Sequence, residues 1–140
     1  MFSWKKKTSI FIGRFQPFHQ GHKRIFLKTL KNSGQVAILV MDSYKIVRKN
    51  PLKFQYVKKM INKRLRAYKK KYIIIKIPAV KEVVYGRKVG FKVKRILDKK
   101  TGKISGTNVR RFAKQVYGTN YSKRLVKAKI SDLIKLENKR

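Results

Sequence analysis

The sequence predicts an α/β protein on a doubly wound, mainly parallel sheet, with helices on both faces and a helical C-terminus. Three apolar runs of strand length carry that expectation, together with the two amphipathic stretches that separate them. The order β-α-β-α-β calls for crossovers of the usual right hand.

Each element has its own signal. "TSIFIG", Thr8 to Gly13, reads as a short buried strand, and "FQPFHQG" as the loop that follows it. From Gly21 the residues Ile25, Phe26, Thr29 and Leu30 fall at helical spacing, and "NSGQ" closes that helix. "QVAILVMD" is a continuous apolar run, as expected of a parallel strand covered on both sides. Asn50-Pro51 offers an N-cap followed by proline at the first helical position. Val57, Met60, Ile61, Leu65 and Tyr68 continue as one helical face, and "YIIIKI" is a third strand stopped by Pro78. Beyond it, "EVVYG" and "FKVKRIL" read as two short strands, separated by too few residues for a crossover helix. Helical spacing returns in Val109, Phe112, Ala113 and Val116 and closes at Gly118. Ser122 to Glu137 reads as one last amphipathic helix.

Composition narrows the functional classes. The length suits one domain, residues 1–140, with a core over about 8–117 and a helical extension over 118–140. Cysteine is absent, which excludes disulfides, thiolate catalysis and cysteine-based zinc sites. No apolar run is long enough to span a membrane, and the apolar run after Lys5–Lys7 is too short for a signal sequence, so a cytoplasmic location is expected. There are 40 Lys+Arg against 5 Asp+Glu, a formal charge of +35. Such a chain attracts polyanions, RNA and DNA included, through counterion release. The charge runs from end to end rather than in one stripe, and lysine with Ile, Asn and Tyr is also what an AT-rich coding sequence favours. Charge alone therefore does not assign a function.

Chemistry concentrates in two stretches. In a doubly wound sheet, ligands bind beyond the carboxyl ends of the strands, where "GRFQPFHQGH" runs into a helix N-terminus. Free N–H groups and a partial positive charge there favour phosphate. Both histidines of the chain, His19 and His22, flank Gly21 in this stretch and can direct imidazole N–H groups at one anion. Gly21 would let backbone approach a ligand closely. In "ISGTNVRR", Ser105 and Thr107 flank a glycine at a helix start, with Arg110 one turn inside. Two hydroxyls, free N–H groups and a guanidinium form a polyphosphate cradle. An ordinary Ser/Thr cap would satisfy the same tetrapeptide. With no cysteine and no carboxylate near the histidines, no protein metal site is expected.

Together the two stretches are identifiable. His19-Gln20-Gly21-His22 after "GRFQPF" resembles the HxGH signature of the nucleotidylyltransferase superfamily, and "ISGTNVR" resembles its ISxTxxR signature. "KNPLKFQYVKKMI" is similar to a stretch in nicotinamide-mononucleotide adenylyltransferases, and "VVYGRKVGFKVKRI" to one in small cytidylyltransferase-like proteins. The resemblance covers about residues 8–114. It implies a Rossmann-like sheet and transfer of AMP or CMP from a nucleoside triphosphate to a phosphate-bearing small molecule, with release of pyrophosphate. By position, it implies that His19 and His22 stabilise the transition state and that Ser105, Thr107 and Arg110 hold the leaving phosphates. It also implies that Gly13, Arg14, Phe15 and Gly21 line the nucleotide site, with Lys23 as a further phosphate contact and Asp42 as an acceptor or nucleotide contact.

Few acids are needed for this chemistry. A phosphate monoester is already an anionic nucleophile, so the protein has to align two anions and neutralise charge. Mg²⁺ is then held mainly by triphosphate oxygens and water. A phosphorylated acceptor and ATP or CTP are the implied partners; non-specific polyanion binding and homo-oligomerisation stay open. The competing reading is a nucleic-acid-binding protein on the same fold with a non-catalytic phosphate site.

Overall fold

The computed structural model of the chain describes residues 1–42, 51–87 and 90–139. Strand β1 (Ser9–Gly13) leads through the loop to helix α1 (Gln20–Ser33), followed by β2 (Val36–Asp42). Helix α2 (Phe54–Arg64) and a 3-10 segment (Arg66–Lys71) precede β3 (Tyr72–Pro78). All pairing is parallel in the order β1-β2-β3, with Phe11 opposite Ile38 and Ile38 opposite Ile74. This is the Rossmann-like α/β fold that the apolar runs predict. Helix α3 (Gly106–Tyr117), a 3-10 turn, α4 (Tyr121–Lys127) and α5 (Ile130–Glu137) complete the chain.

Local sequence explains where α1 stops. Gly34 adopts φ 80°, the left-handed conformation that glycine takes without steric cost, and its N–H caps Leu30 O. One face of the helix delivers Phe26 to the core, where the edges of Tyr68 and Tyr72 meet its ring. Val36, Ile38 and Val40 of β2, Val57, Met60 and Ile61 of α2, and Leu125, Leu133 and Leu136 of the last two helices join the same cluster. The last helices thus belong to the core that supports β1 and α1. Full burial of a side chain such as Phe26 is worth about 2 to 3 kcal/mol.

Three local expectations are corrected. Helix α2 begins at Phe54 behind Lys53, not at Pro51, and Asn50 lies outside the described residues. The reason is tertiary: the Gln16 side chain accepts from Leu52 N and donates to Leu52 O, both at 2.8 Å, so this backbone is engaged before the helix can start. No strand forms at 82–86 or 91–97 among the described residues. Val84 and Val93 are 78% and 83% exposed there, and β-propensity creates no ladder where a partner strand is not engaged. The last helix is two helices, broken at Ala128 and Lys129, both in extended backbone. Lys63 Nζ holds the break by donating to Val126 O at 2.6 Å and Ala128 O at 2.9 Å.

Candidate active site

The loop after β1 folds around aromatic rings. Phe15 is buried with φ 54°, a conformation that bulky residues rarely adopt, and Phe18 is fully buried beside it. Their rings bed His22, with centroids 4.9 Å and 5.4 Å away, and His19 stacks on His22 at 3.8 Å. A Cβ on Gly21 would lie 2.8 Å from His19 Cε1, so the glycine makes room for the imidazole.

Both rings cap their own helix. His19 Nδ1 accepts from Gly21 N at 3.0 Å, and His22 Nδ1 accepts from His19 N at 3.1 Å, a capping box built from imidazoles. An Nδ1 that accepts carries no proton, so each neutral ring holds its proton on Nε2. Burial, aided by the Arg64 guanidinium, lowers the His19 pKa to about 4. Burial, then His19 and Arg64, holds His22 well below the ordinary imidazole range. The pair therefore offers two uncharged N–H donors at neutral pH. His19 is buried and caps α1.

Helix α3 brings the second stretch to this loop. Ser105 Oγ accepts from Asn108 N at 3.1 Å, the ordinary cap, while Thr107 is exposed. Arg110 Nη1 donates to Gln16 O at 2.6 Å, and Nη2 lies 3.4 Å from Thr107 Oγ1. Gly106 permits the close approach, since a Cβ there would meet Gln16 O at 2.9 Å. One backbone carbonyl in the β1–α1 loop thus ties the two sequence motifs together.

The remaining expected residues divide. Gly13 ends β1 against the Phe15 ring, and Arg14 is exposed at the loop's start. Lys23 lies on the flank of α1, lining a cavity of about 570 Å³ with Arg24, Thr101 and Ile104. Asp42 ends β2 and pairs with Lys76 at 3.0 Å, so its carboxylate is engaged. Three residues escaped the sequence reading: Gln16, Arg64 and Glu137. Only Glu137 carried a signal, as one of 5 acidic residues and on the Leu133/Leu136 face of an apolar helix.

The model of the cytidylyltransferase-like family matches residues 10–77, from β1 through β3. Residues 10–77 are thus similar to that family. The resemblance to the nucleotidylyltransferase superfamily holds over this unit, which contains the histidine pair. No curated protein matches the chain. Among solved structures, the chain is similar to two crystal structures of a bifunctional NMN adenylyltransferase/ADP ribose pyrophosphatase from Francisella tularensis, one complexed with AMP and a Mn ion. Identities are 32% and 34% over 52% of this chain, with TM-scores of 0.48. The chain spans only 23% and 22% of those two proteins.

Proposed function

We propose that the chain is a nucleotidylyltransferase that moves AMP or CMP from a nucleoside triphosphate to a phosphorylated small molecule. The observation that carries this reading is the joint at Gln16 O, where Arg110 binds the histidine loop. Its support is the cytidylyltransferase-like match over β1 to β3.

In this mechanism an acceptor phosphate oxygen attacks the α-phosphorus, and the bond to the bridging oxygen breaks as pyrophosphate leaves. The Nε2–H groups of His19 and His22 donate to the phosphate oxygens that gain charge in the transition state. Ser105, Thr107 and Arg110 hold the departing β- and γ-phosphates at the start of α3. Gly13, Arg14 and Phe15 line the nucleotide side. No general base is required, because the nucleophile is already an anion. Among the described residues no group of three His, Asp or Glu side chains stands ready for a metal, and Asp42 is paired with Lys76. Mg²⁺ would be held mainly by triphosphate oxygens and water, where it would offset phosphate charge. A cytoplasmic setting suits these substrates, and among the described residues no helix is long and apolar enough to cross a membrane.

The test is pyrophosphate release with ATP or CTP, Mg²⁺ and a panel of phosphate monoesters. Release with one acceptor and one triphosphate defines the activity; none with any pairing sinks the proposal. The charge of +35 favours nucleic-acid binding as a second reading. It would gain if RNA bound sequence-selectively and turnover were absent.

A further inference from the structure

Helix α5 reaches the histidine pair from the far end of the chain. Glu137 Oε1 accepts from Gln20 N, the first N–H of α1, at 2.8 Å, and Gln20 Nε2 donates to Asn138 Oδ1 at 3.2 Å. The other oxygen of Glu137 is bound by Arg64 Nη2 of α2, and both side chains are at most 3% exposed. Burial pushes the Glu137 carboxyl up, while Arg64 and the Gln20 N–H draw it back. Arg64 stays charged, since its guanidinium cannot release its proton at any ordinary pH.

This arrangement alters what the start of α1 can do. The N–H groups of Gln20 and Gly21 are taken by Glu137 and His19, so a phosphate cannot use them as it would a bare helix N-terminus. A carboxylate beside a phosphate site would also repel substrate if it stood alone. Arg64 cancels it. The charged side chain that bears on the imidazoles is Arg64 from α2, and Glu137 from α5 reaches the Gln20 N–H beside them. The loop contributes Phe15 and Phe18, and the 98–104 turn brings the Thr101 carbonyl close to Gly21.

We propose that Glu137 and Arg64 are positioning residues for the histidine pair, a buried clamp by which the C-terminal helix fixes the first turn of α1 and the stacked imidazoles. The proposal rests on the nucleotidyl-transfer reading for its consequence in turnover, but its structural content can be read without substrate. Glu137 lies beyond the matched span of the family model, residues 10–77, and Arg64 lies within it.

The chain has two histidines, so long-range ¹H–¹⁵N spectra report both rings without ambiguity. In the parent protein both should be neutral, with the proton on Nε2, from pH 8 down to about 5. The double variant R64M/E137L removes both charges at similar volume, an exchange that buried pairs often tolerate without loss of stability. It should fold, yet its imidazole signals should show mixed tautomers and a pKa raised toward 6.5. Its kcat should fall about 10- to 100-fold with little change in KM, as expected of misplaced groups. R64K, which keeps the charge, should restore parent spectra and kcat to within about threefold. A folded double variant with parent imidazole spectra overturns the clamp. If the double variant does not fold, E137Q decides by the same spectra: shifted imidazoles support the clamp, and parent spectra overturn it. Should the parent protein release no pyrophosphate at all, the functional reading fails while the spectra still judge the clamp.

Discussion

The two ends of the candidate site offer donors to an anion in opposite ways. At the β1–α1 end the donors are neutral imidazoles, packed on Phe15 and Phe18 and fixed through Nδ1. At the α3 end they are an exposed threonine and a guanidinium with one nitrogen committed to Gln16 O. The first end can act only through geometry, because it brings no charge of its own. The second can act through charge, because Arg110 is ionised and partly open. Losses at the first end should therefore appear in turnover, and losses at the second in binding.

The sharpest break of that contrast is His22→Ala. It removes one Nε2 donor, the Nδ1 acceptor for His19 N and the surface on which His19 stacks. In comparable sites, loss of one donor to developing charge costs about 100- to 1000-fold in kcat. We expect that fall, with triphosphate affinity changed much less. A decrease under about tenfold would leave His22 as packing alone.

Acidity distinguishes the ends next, since only the histidine end carries imidazoles, whose ordinary pKa of 6.5 is lowered in the fold. His19 has a folded pKa of about 4 against an ordinary value of 6.5. Between those values the unfolded chain binds the additional proton, so stability is intact above pH 6.5 and declines as pH is lowered to about 4. The decline from His19 alone should be roughly 3 kcal/mol, and His22 adds to it with the same sign. Urea unfolding from pH 7.5 to 4.5 measures it. His19→Asn, whose carbonyl can still cap Gly21 N, should flatten the slope, whereas Arg110→Ala should leave it intact. An unchanged slope in His19→Asn would mean that other groups cause the decline.

Arg110→Ala itself should weaken triphosphate binding by about 10- to 100-fold, the value of one or two charged hydrogen bonds. Arg111→Ala is the control. Arg111 is exposed and lies 5.1 Å over the Phe112 ring, turned about 100° around the helix from its neighbour. Equal small effects in calorimetric titrations of the two variants would return both arginines to the general surface.

These contrasts also show what the sequence made legible. Strands β1 to β3 and helix α1 were readable because their signals are local: apolar runs, helical spacing, and Gly34 at the cap. The two motif stretches were readable for the same reason, and the structure joins them at Gln16. What escaped depends on contacts between distant residues. Arg64 and Glu137 are 73 positions apart, and Gln16 delays α2 by binding Leu52 at 36 positions. No local pattern announces such pairs. The expected strands at 82–86 and 91–97 failed in the opposite way. Their valines and aromatics fit a pleated surface, but propensity does not supply the partner strand.

The smallest expected effect is that of salt on turnover, and it separates the site from the charge around it. Binding of RNA or DNA by a chain of charge +35 should be sequence-indifferent and should weaken by orders of magnitude between 50 and 200 mM salt. Turnover should change far less, since the triphosphate is held by directed donors at Arg110, Thr107 and the imidazoles. The double variant His19→Ala/His22→Ala should keep RNA binding and its salt slope while losing pyrophosphate release, because neutral rings displace no counterions. Filter binding and a pyrophosphate assay across one salt series measure both quantities on the same protein. If turnover followed the RNA-binding slope, the triphosphate would be held by the diffuse field rather than by the cradle. The distinction between a geometric end and a charged end would then collapse into electrostatics spread over the whole surface.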